Sequence, residues 1–282
     1  MLDLQIEPVV RAALLEDLGR AGDLTTDAIV PADQTGTAAL VARDPGVVAG
    51  TACARLAWTL LDPAVDVTID TPDGTALEPG TVIGSARGPV RALLTGERVA
   101  LNFLGHLSGV ATATATLVEA VAGTQARICC TRKTTPGLRA LQKAAVRAGG
   151  GMNHRFGLDD AVLIKDNHVA FAGSITEAVG RARAHVGHLV KIEVEVDTLD
   201  QLRELLTLSG RQGADAVLLD NMGPDVLREA VDLVDGRLIT EASGRITPET
   251  ARALAGAGVD LISAGWLTHS TSVLDIGLDH RA

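Results

Sequence analysis

Short apolar runs alternate with amphipathic segments from about residue 127 to residue 265. The apolar runs predict strands at Arg127–Thr131, Ala161–Ile164, Leu189–Val196, Ala216–Leu219, Leu238–Glu241 and Leu261–Ala264. The segments between them predict helices at Leu138–Ala148, Ile175–His185, Leu199–Leu206, Pro224–Val234 and Pro248–Ala255. Near-continuous apolar strands that alternate with helices indicate a parallel sheet covered by helices. This part of the chain is therefore expected to form an incomplete barrel of the TIM-like (β/α) type.

The first hundred residues follow a different pattern. A helix is predicted at Ile6–Leu18, and it is stopped by two glycines. Short strands are then predicted at Thr37–Ala42, Val47–Val48, Asp66–Ile69 and Val82–Ala86, separated by turns rich in Pro and Gly. We expect a smaller α+β domain here, with a mostly helical segment from Thr95 to Val121 that bridges to the barrel.

Composition narrows the possible functions. Acidic residues outnumber basic ones by 35 to 25, and the chain has three Phe, two Trp and no Tyr. Such a chain lacks the basic surface and stacking aromatics of a nucleic-acid-binding protein. Its three cysteines show no disulfide or metal spacing, which fits a reducing cytoplasm. We expect neither a signal peptide nor a membrane helix, because no basic-then-apolar N-terminus and no apolar stretch of about 20 residues is present.

Almost every predicted strand of the second half ends near a charged or polar residue that could act in binding or catalysis. Two cations, Arg132 and Lys133, follow the first strand, and Lys165 follows the second. His154 and Arg155 lie between them, after three successive glycines. Active sites of α/β barrels lie at the carboxyl ends of the strands. A local cluster of cations in an acidic protein indicates a small anionic substrate.

Each of these residues also has an ordinary structural explanation. Adjacent cations such as Arg132 and Lys133 are usually solvated, and a lone histidine is more often structural than catalytic. We favour binding, because an arginine holds a carboxylate or phosphate with two parallel hydrogen bonds and a lysine adds a point charge. Lys165 has a second possible use, because a barrel lysine surrounded by cations can form a Schiff base.

Carboxylates follow the next two strands. Glu195 and Asp220 could hold Mg²⁺, which proteins bind through one or two carboxylates together with substrate phosphates. They could instead merely neutralise the cations, and both roles are compatible. After the last two strands come small-residue loops, Ser243-Gly244 and Ala264-Gly265, whose backbone N–H groups could cradle a phosphate.

A long motif makes the functional prediction more specific. The run T-R-K-T-T-P-G-L-R, followed by G-G-G-x-N-H-R and by L-I-K-D-N-H, extends from Thr131 to His168. It strongly resembles the quinolinate phosphoribosyltransferases, the carboxylating nicotinate-nucleotide pyrophosphorylases. Further segments of likeness cover nearly the whole chain, including Gly96-Glu97-Arg98, Glu193-Val194-Glu195-Val196 and Glu241-Ala242-Ser243-Gly244.

The resemblance implies a fold and an assembly. The family combines an N-terminal α/β sandwich domain with an incomplete α/β barrel, which would here be residues 1–108 and 109–269. The tail, residues 270–282, would pack back on the first domain. The family works as homodimers or assemblies of dimers with the site at the subunit interface, and the arginine matching Arg98 comes from the neighbouring chain.

The resemblance also implies substrates and roles. Phosphoribosyl would pass from 5-phosphoribosyl-1-pyrophosphate (PRPP) to quinolinate with loss of CO₂, giving nicotinate mononucleotide. Three groups of residues would do this: Arg98, Arg132, His154 and Arg155 on quinolinate, Lys133 and Lys165 on the phosphates, and Glu195 and Asp220 on Mg²⁺ and ribose. Lys133, Lys165, Glu195 and Asp220 would be the catalytic residues, and Ser243, Gly244, Ala264 and Gly265 would hold the 5′-phosphate.

Two other functions remain open at this point. One is the related family branch associated with molybdenum transport, or a binding module for phosphorylated metabolites. The other is a Schiff-base lyase that uses Lys165. Three positions depart from the family pattern: Cys130 stands where an aspartate is expected, and Arg245 and Trp266 stand where small residues are expected beside the phosphate loops.

Overall fold

The structure is a computed structural model that describes residues 2–281, with all side chains except those of residues 211 and 281. In chain order its helices and strands are α1 (Asp3–Leu18), α2 (Leu24–Ile29), β1 (Thr35–Ala42), β2 (Gly46–Val47), α3 (Thr51–Thr59), β3 (Asp66–Ile69), β4 (Ala76–Leu77), β5 (Val82–Pro89), α4 (Val90–Ala120), β6 (Arg127–Cys129), α5 (Arg139–Ala148), β7 (Val162–Ile164), α6 (Asp166–Ala172), α7 (Ile175–His185), β8 (Ile192–Val196), α8 (Leu199–Leu206), β9 (Ala216–Asp220), α9 (Pro224–Val234), β10 (Ile239–Ser243), α10 (Pro248–Ala255), β11 (Leu261–Ser263) and β12 (Ile276–Arg281). Within residues 2–281, no helix combines the length and the apolar character that a bilayer crossing requires.

The chain divides into two compact units. The first consists of residues 2–115, 134–150 and 266–281, and the second of residues 116–133 and 151–265. The sequence placed a single boundary after residue 108. The structure divides the chain within α4 and groups α5 with the first unit. Residues 266–281 also belong to the first unit, the one on which the tail was predicted to pack.

The first unit is built on an antiparallel sheet with the strand order β12-β1-β5-β3. The C-terminal strand β12 pairs along the whole of its length with β1, for example Leu278 with Leu40. Trp58 on α3 is fully buried, and its indole N–H donates to the Leu93 carbonyl at 3.0 Å. Gly96 on α4 faces this ring, and a Cβ atom there would come within 2.5 Å of it. The close approach requires glycine at that position.

The second unit is a parallel sheet of six strands in the order β6-β11-β10-β9-β8-β7. All six predicted strands are present, with ends that differ from the prediction by at most three residues. The predicted α/β fold class is confirmed. The sheet starts at β6 and ends at β7, and these two strands do not pair with each other in the described part of the chain. That arrangement fits an incomplete barrel.

The two faces of this sheet carry different chemistry. Ile192, Val194 and Val196 of β8 are completely buried, as are Val217 and Leu219 of β9. The residues between them point to the other face, because side chains alternate along a strand. That second face carries acids, listed from β8 to β10: Glu193, Glu195, Asp220 and Glu241. Barrel interiors are normally filled with branched apolar side chains, so this face is built for something other than packing.

Candidate active site

A cavity of about 430 Å³ lies in the second unit. Its lining residues come from the acidic face of the sheet, from the segments that follow β6 and precede β7, and from Lys165 directly after β7. Eight of the twelve residues predicted to bind substrate line it: Arg132, Lys133, His154, Arg155, Lys165, Glu195, Asp220 and Ser243. The structure therefore brings together residues that lie more than a hundred positions apart in the chain.

The turn after β6 sets the direction of Arg132 and Lys133. The Thr131 hydroxyl accepts a hydrogen bond from the Lys133 backbone N–H at 3.0 Å. Gly265 packs against this turn, and a Cβ atom at that position would come within 2.8 Å of the Lys133 side chain. Gly265 does not itself line the cavity. It contributes by leaving room for Lys133.

The segment that carries His154 and Arg155 is attached to the free edge of β6. Met152 forms a parallel bridge with Cys129, and its N–H and carbonyl bond to Ile128 and Cys130 at 2.8 and 3.1 Å. This pairing brings Arg155 and Arg132 into the same cavity, where both line the wall. The sequence pattern had shown only a glycine run here, without a strand-like pairing.

Arg132 and Arg155 are neighbouring cations that line the same cavity. The Nε atom of each is buried and has no hydrogen-bond partner. Burial, and secondly the charge of Arg132, lower the pKa of Arg155, while Asp160 and Glu193 act in the opposite direction. The guanidinium of Arg155 is nevertheless anchored, because Nη1 donates to the Ala161 carbonyl at 3.0 Å. Two half-buried arginines that line one cavity, each with an unpartnered Nε atom, form a candidate site for an anion.

A buried cluster of His154, Glu193 and Glu241 lies beside these cations. The His154 Nε2 atom is 2.9 Å from a Glu193 oxygen and 3.7 Å from a Glu241 oxygen. Burial, together with the negative charge of Glu193, raises the pKa of Glu241 to about 7. One oxygen of Glu241 is buried without a partner. Glu241 thus keeps its proton to a much higher pH than an ordinary glutamate does.

The same three side chains could be taken for a metal site, since their ligand atoms all lie within 4.8 Å of one another. The hydrogen bond at the other ring nitrogen argues against it. The backbone N–H of Arg155 donates to His154 Nδ1 at 2.8 Å, whereas a histidine that binds metal through Nε2 carries its proton on Nδ1 and donates it to an acceptor. A metal on Nε2 would bring two N–H groups face to face.

The remaining acids are held by neighbouring polar groups. Lys165 forms a close ion pair with Glu195. Asp220 accepts a hydrogen bond from the Ser243 hydroxyl at 2.7 Å on one oxygen and from the Asn221 amide at 2.6 Å on the other. Ser243 therefore orients the carboxylate of Asp220. Asn221, which was not among the predicted site residues, also orients this acid and has a left-handed conformation with φ +54°.

Comparison with known proteins identifies the family. Residues 23–108 match the model of the quinolinate phosphoribosyl transferase N-terminal domain, and residues 110–279 match that of its C-terminal domain. The chain belongs to the quinolinate phosphoribosyltransferase family.

Individual relatives are similar to this chain over nearly their full lengths. The chain is 48% identical to a probable carboxylating nicotinate-nucleotide pyrophosphorylase of Bacillus subtilis, over 99% of this chain and 94% of the relative. It is 46% identical to the carboxylating nicotinate-nucleotide pyrophosphorylase of Mycobacterium leprae, over 96% and 95%. The crystal structure of NadC from Streptococcus pyogenes superimposes with a TM-score of 0.94 at 40% identity, covering 100% of this chain and 99% of that one.

Four predicted residues of this phosphoribosyltransferase do not line the cavity. Arg98 lies on α4 in the first unit, beside a different cavity of about 310 Å³ that it shares with Glu16, Asp17 and His106. Ala264 is buried, and Gly265 packs against Lys133. Gly244 has φ +100° and lies against Asn221, where a Cβ atom would come within 2.2 Å of the amide oxygen.

Gly244 instead lines a cavity of about 650 Å³ together with the exposed Arg245. Arg245 has φ +48°, a conformation that favours glycine. The family residue expected here, glycine, suits this backbone better than the arginine that the chain carries. The departure from the family pattern therefore has a local conformational cost.

The sequence pattern missed two groups that the structure places at this site. Glu193 and Glu241 lie in segments of likeness to the family, but neither was predicted to be a site residue. The alternation Glu193-Val194-Glu195-Val196 was the available signal, because it puts both glutamates on one face of β8.

Proposed function

We propose that the protein transfers phosphoribosyl from PRPP to quinolinate and releases CO₂ and pyrophosphate, forming nicotinate mononucleotide. The family membership and the names of the relatives support this reaction class. The observation that carries the substrate assignment is the pair of half-buried arginines, Arg132 and Arg155, which line one cavity and have unpartnered Nε atoms. Quinolinate has two adjacent carboxylates, and two forked cations match them.

The second substrate accounts for the other cavity residues. Lys133 and Lys165 provide positive charge for the pyrophosphate and the ribose phosphate. Release of Lys165 from its ion pair with Glu195 accompanies phosphate binding, and it frees that carboxylate. Arg98 is proposed to act from a second copy of the chain, since it lines no part of this cavity.

Glu195 and Asp220 fit the way in which proteins hold Mg²⁺. They lie on neighbouring strands and line the same cavity, and Mg²⁺ is bound by one or two carboxylates plus substrate phosphates. When bound, the ion would neutralise charge on the departing pyrophosphate. The same two carboxylates stabilise the positive charge that develops on the ribose ring as the bond from C1′ to pyrophosphate breaks.

The chemistry then requires positioning more than a nucleophile from the protein. The quinolinate nitrogen forms a bond to C1′ as pyrophosphate leaves with the bonding electrons. The resulting pyridinium accepts the electron pair left on C2 when the neighbouring carboxylate departs as CO₂. A proton then replaces the carboxylate at C2. Arg132 and Arg155 hold the ring in place throughout.

The rival functions find less support. A Schiff base needs an uncharged lysine, whereas Lys165 is paired with a carboxylate. The relatives at 46–48% identity are named for the pyrophosphorylase reaction, which favours that reaction over a transport-associated or purely binding role.

The decisive experiment incubates the purified protein with quinolinate, PRPP and Mg²⁺ and measures nicotinate mononucleotide by chromatography. We expect product in the complete mixture and none without PRPP. Lys165→Ala should abolish turnover, while Lys191→Ala, at an exposed lysine outside the cavity, should not. A folded protein that binds PRPP without forming product would point to the binding module. A borohydride-trapped adduct on Lys165 with a carbonyl substrate would point to the lyase.

A further inference from the structure

The hydrogen bonds at the two ring nitrogens of His154 define where its proton lies. The backbone N–H of Arg155 points at Nδ1 with a donor–acceptor distance of 2.8 Å. A backbone N–H can only donate, so Nδ1 must be the acceptor and carries no hydrogen.

The other nitrogen faces acids. Nε2 lies 2.9 Å from a Glu193 oxygen and 3.7 Å from a Glu241 oxygen, and the three side chains are 12, 11 and 2% exposed. With Nδ1 unprotonated, the ring hydrogen is on Nε2 and is donated to Glu193. The imidazole is then neutral, and its ring N–H is already used inside the protein.

This arrangement changes what His154 can do. A carboxylate of quinolinate needs hydrogen-bond donors, and the one ring donor of His154 points to Glu193. The nitrogen on the other side accepts a hydrogen bond from the backbone N–H of Arg155, the residue whose half-buried side chain lines the cavity. The side chain of Arg155 is fixed at its far end by the Ala161 carbonyl, and its backbone is fixed at the near end by the histidine ring.

We propose that His154 and Glu193 are positioning residues that act through Arg155, and that His154 is not a charged ligand of the substrate. Glu193 orients the imidazole, the imidazole fixes the Arg155 amide, and the guanidinium is thereby presented to the anion. The proposal rests on the proposed function for the identity of that anion, but its structural part, the tautomer of His154, does not.

The tautomer is measured first. In protein labelled with ¹⁵N-histidine, spectra that correlate ring nitrogens with ring protons should show His154 Nδ1 as an unprotonated nitrogen and Nε2 as a protonated one at neutral pH. The spectrum of His154→Gln assigns the resonance among the seven histidines. A ring protonated on Nδ1, or on both nitrogens, would overturn the proposal whether or not the protein turns over quinolinate.

Matched variants then test the role. In His154→Asn the amide oxygen takes the approximate position of Nδ1 and can still accept from the Arg155 N–H, whereas His154→Leu offers no acceptor. Calorimetry with quinolinate alone should show affinity within about threefold of the wild type for Asn, and a loss of about tenfold or more for Leu. Equal losses in both variants would show that the ring itself binds the substrate.

A second pair of variants tests the role of Glu193. Glu193→Gln keeps an acceptor for Nε2–H, and Glu193→Leu removes it. Glu193→Leu should weaken quinolinate affinity, raise the KM for quinolinate more than it lowers kcat, and shift the His154 resonances. Glu193→Gln should have none of these effects. If Gln is as damaging as Leu, the charge of Glu193 matters instead of its hydrogen bond, and the positioning role is wrong. If wild-type protein binds no quinolinate at all, the proposed function is wrong. The tautomer measurement then still tests whether His154 is hydrogen-bonded to Arg155 and Glu193 as described.

Discussion

Replacing Glu241 with glutamine should change how the stability of the protein depends on pH. Glu241 is 1% exposed, and burial with the nearby charge of Glu193 raises its pKa from 4.5 to about 7. Glutamine has nearly the same shape and can still accept a hydrogen bond from Ser263, but it has no proton to release. The variant therefore removes the titration and keeps the packing.

The sign and size of the effect follow from the two pKa values. The folded protein keeps its proton between pH 4.5 and about 7, where the unfolded chain has already released it. The free energy of unfolding of the wild type therefore falls as the pH rises through this window, and it levels off above it. A difference of about 2.5 pKa units at about 1.36 kcal/mol each gives about 3 kcal/mol over the whole window.

The measurement compares urea unfolding of wild type and Glu241→Gln at several pH values and equal protein concentration. The sequence has an isoelectric point near 5.1, so the accessible range begins at about pH 5.5. From there to about pH 8, the stability of the variant relative to the wild type should rise by about 2 kcal/mol.

Glu119→Gln, at an exposed glutamate on α4, serves as the control and should show no comparable change. Curves of wild type and Glu241→Gln that stay parallel across this range would refute the argument. They would mean that Glu241 ionises in the folded protein much as it does in the unfolded chain, and that the cavity stabilises its charge.

Two further predictions concern catalysis. Glu195→Gln and Asp220→Asn should each lower kcat with PRPP while leaving quinolinate affinity within about threefold, because a charge is lost from the ribose and metal side only; unchanged turnover in steady-state assays would favour a purely neutralising role. Arg98→Ala and Lys165→Ala should each be inactive alone and regain activity when mixed and allowed to exchange subunits, because a mixed dimer contains one intact site; a mixture that stays inactive although mixed dimers form would place Arg98 in its own chain's site or outside any site.

The sequence predicted those elements that are determined locally. The bounds of α7, α8, α9 and α10 agree with the prediction because their starting signals are nearby: Ser174, Thr198 and Thr247 accept hydrogen bonds from the first turns, and Pro224 begins α9. The six parallel strands were found because strands buried between two layers are continuously apolar.

Other elements depend on contacts that no local pattern contains. β12 includes Gly277 and Asp279, and it becomes a strand by pairing with β1, more than two hundred residues away. α3 is buried on most of its surface and begins after a left-handed Gly50, so it shows no simple apolar stripe. Such elements are decided by tertiary packing, which overrides local propensity.

The sequence also predicted the candidate site only in part. Strand-end cations and acids were found because parallel strands deliver their carboxyl ends to one place. The pairing of Met152 with β6 and the burial of Glu241 were not predicted, because both depend on the three-dimensional arrangement of the strands and of the side chains around them. The roles assigned to Arg98 and to Mg²⁺ stay predictions.

The unclosed edge between β6 and β7 has a consequence for the motions of the protein. In the interior of the sheet each strand is held by neighbours on both sides, as β9 is by β8 and β10. At the seam, the segment with His154 and Arg155 is joined to β6 through Met152. Backbone amides there should open and exchange with solvent more readily than those of β9, since few hydrogen bonds must break. An anion that bridges Arg132 and Arg155 would tie this segment to the turn after β6, so exchange of its amides should slow when the anion binds.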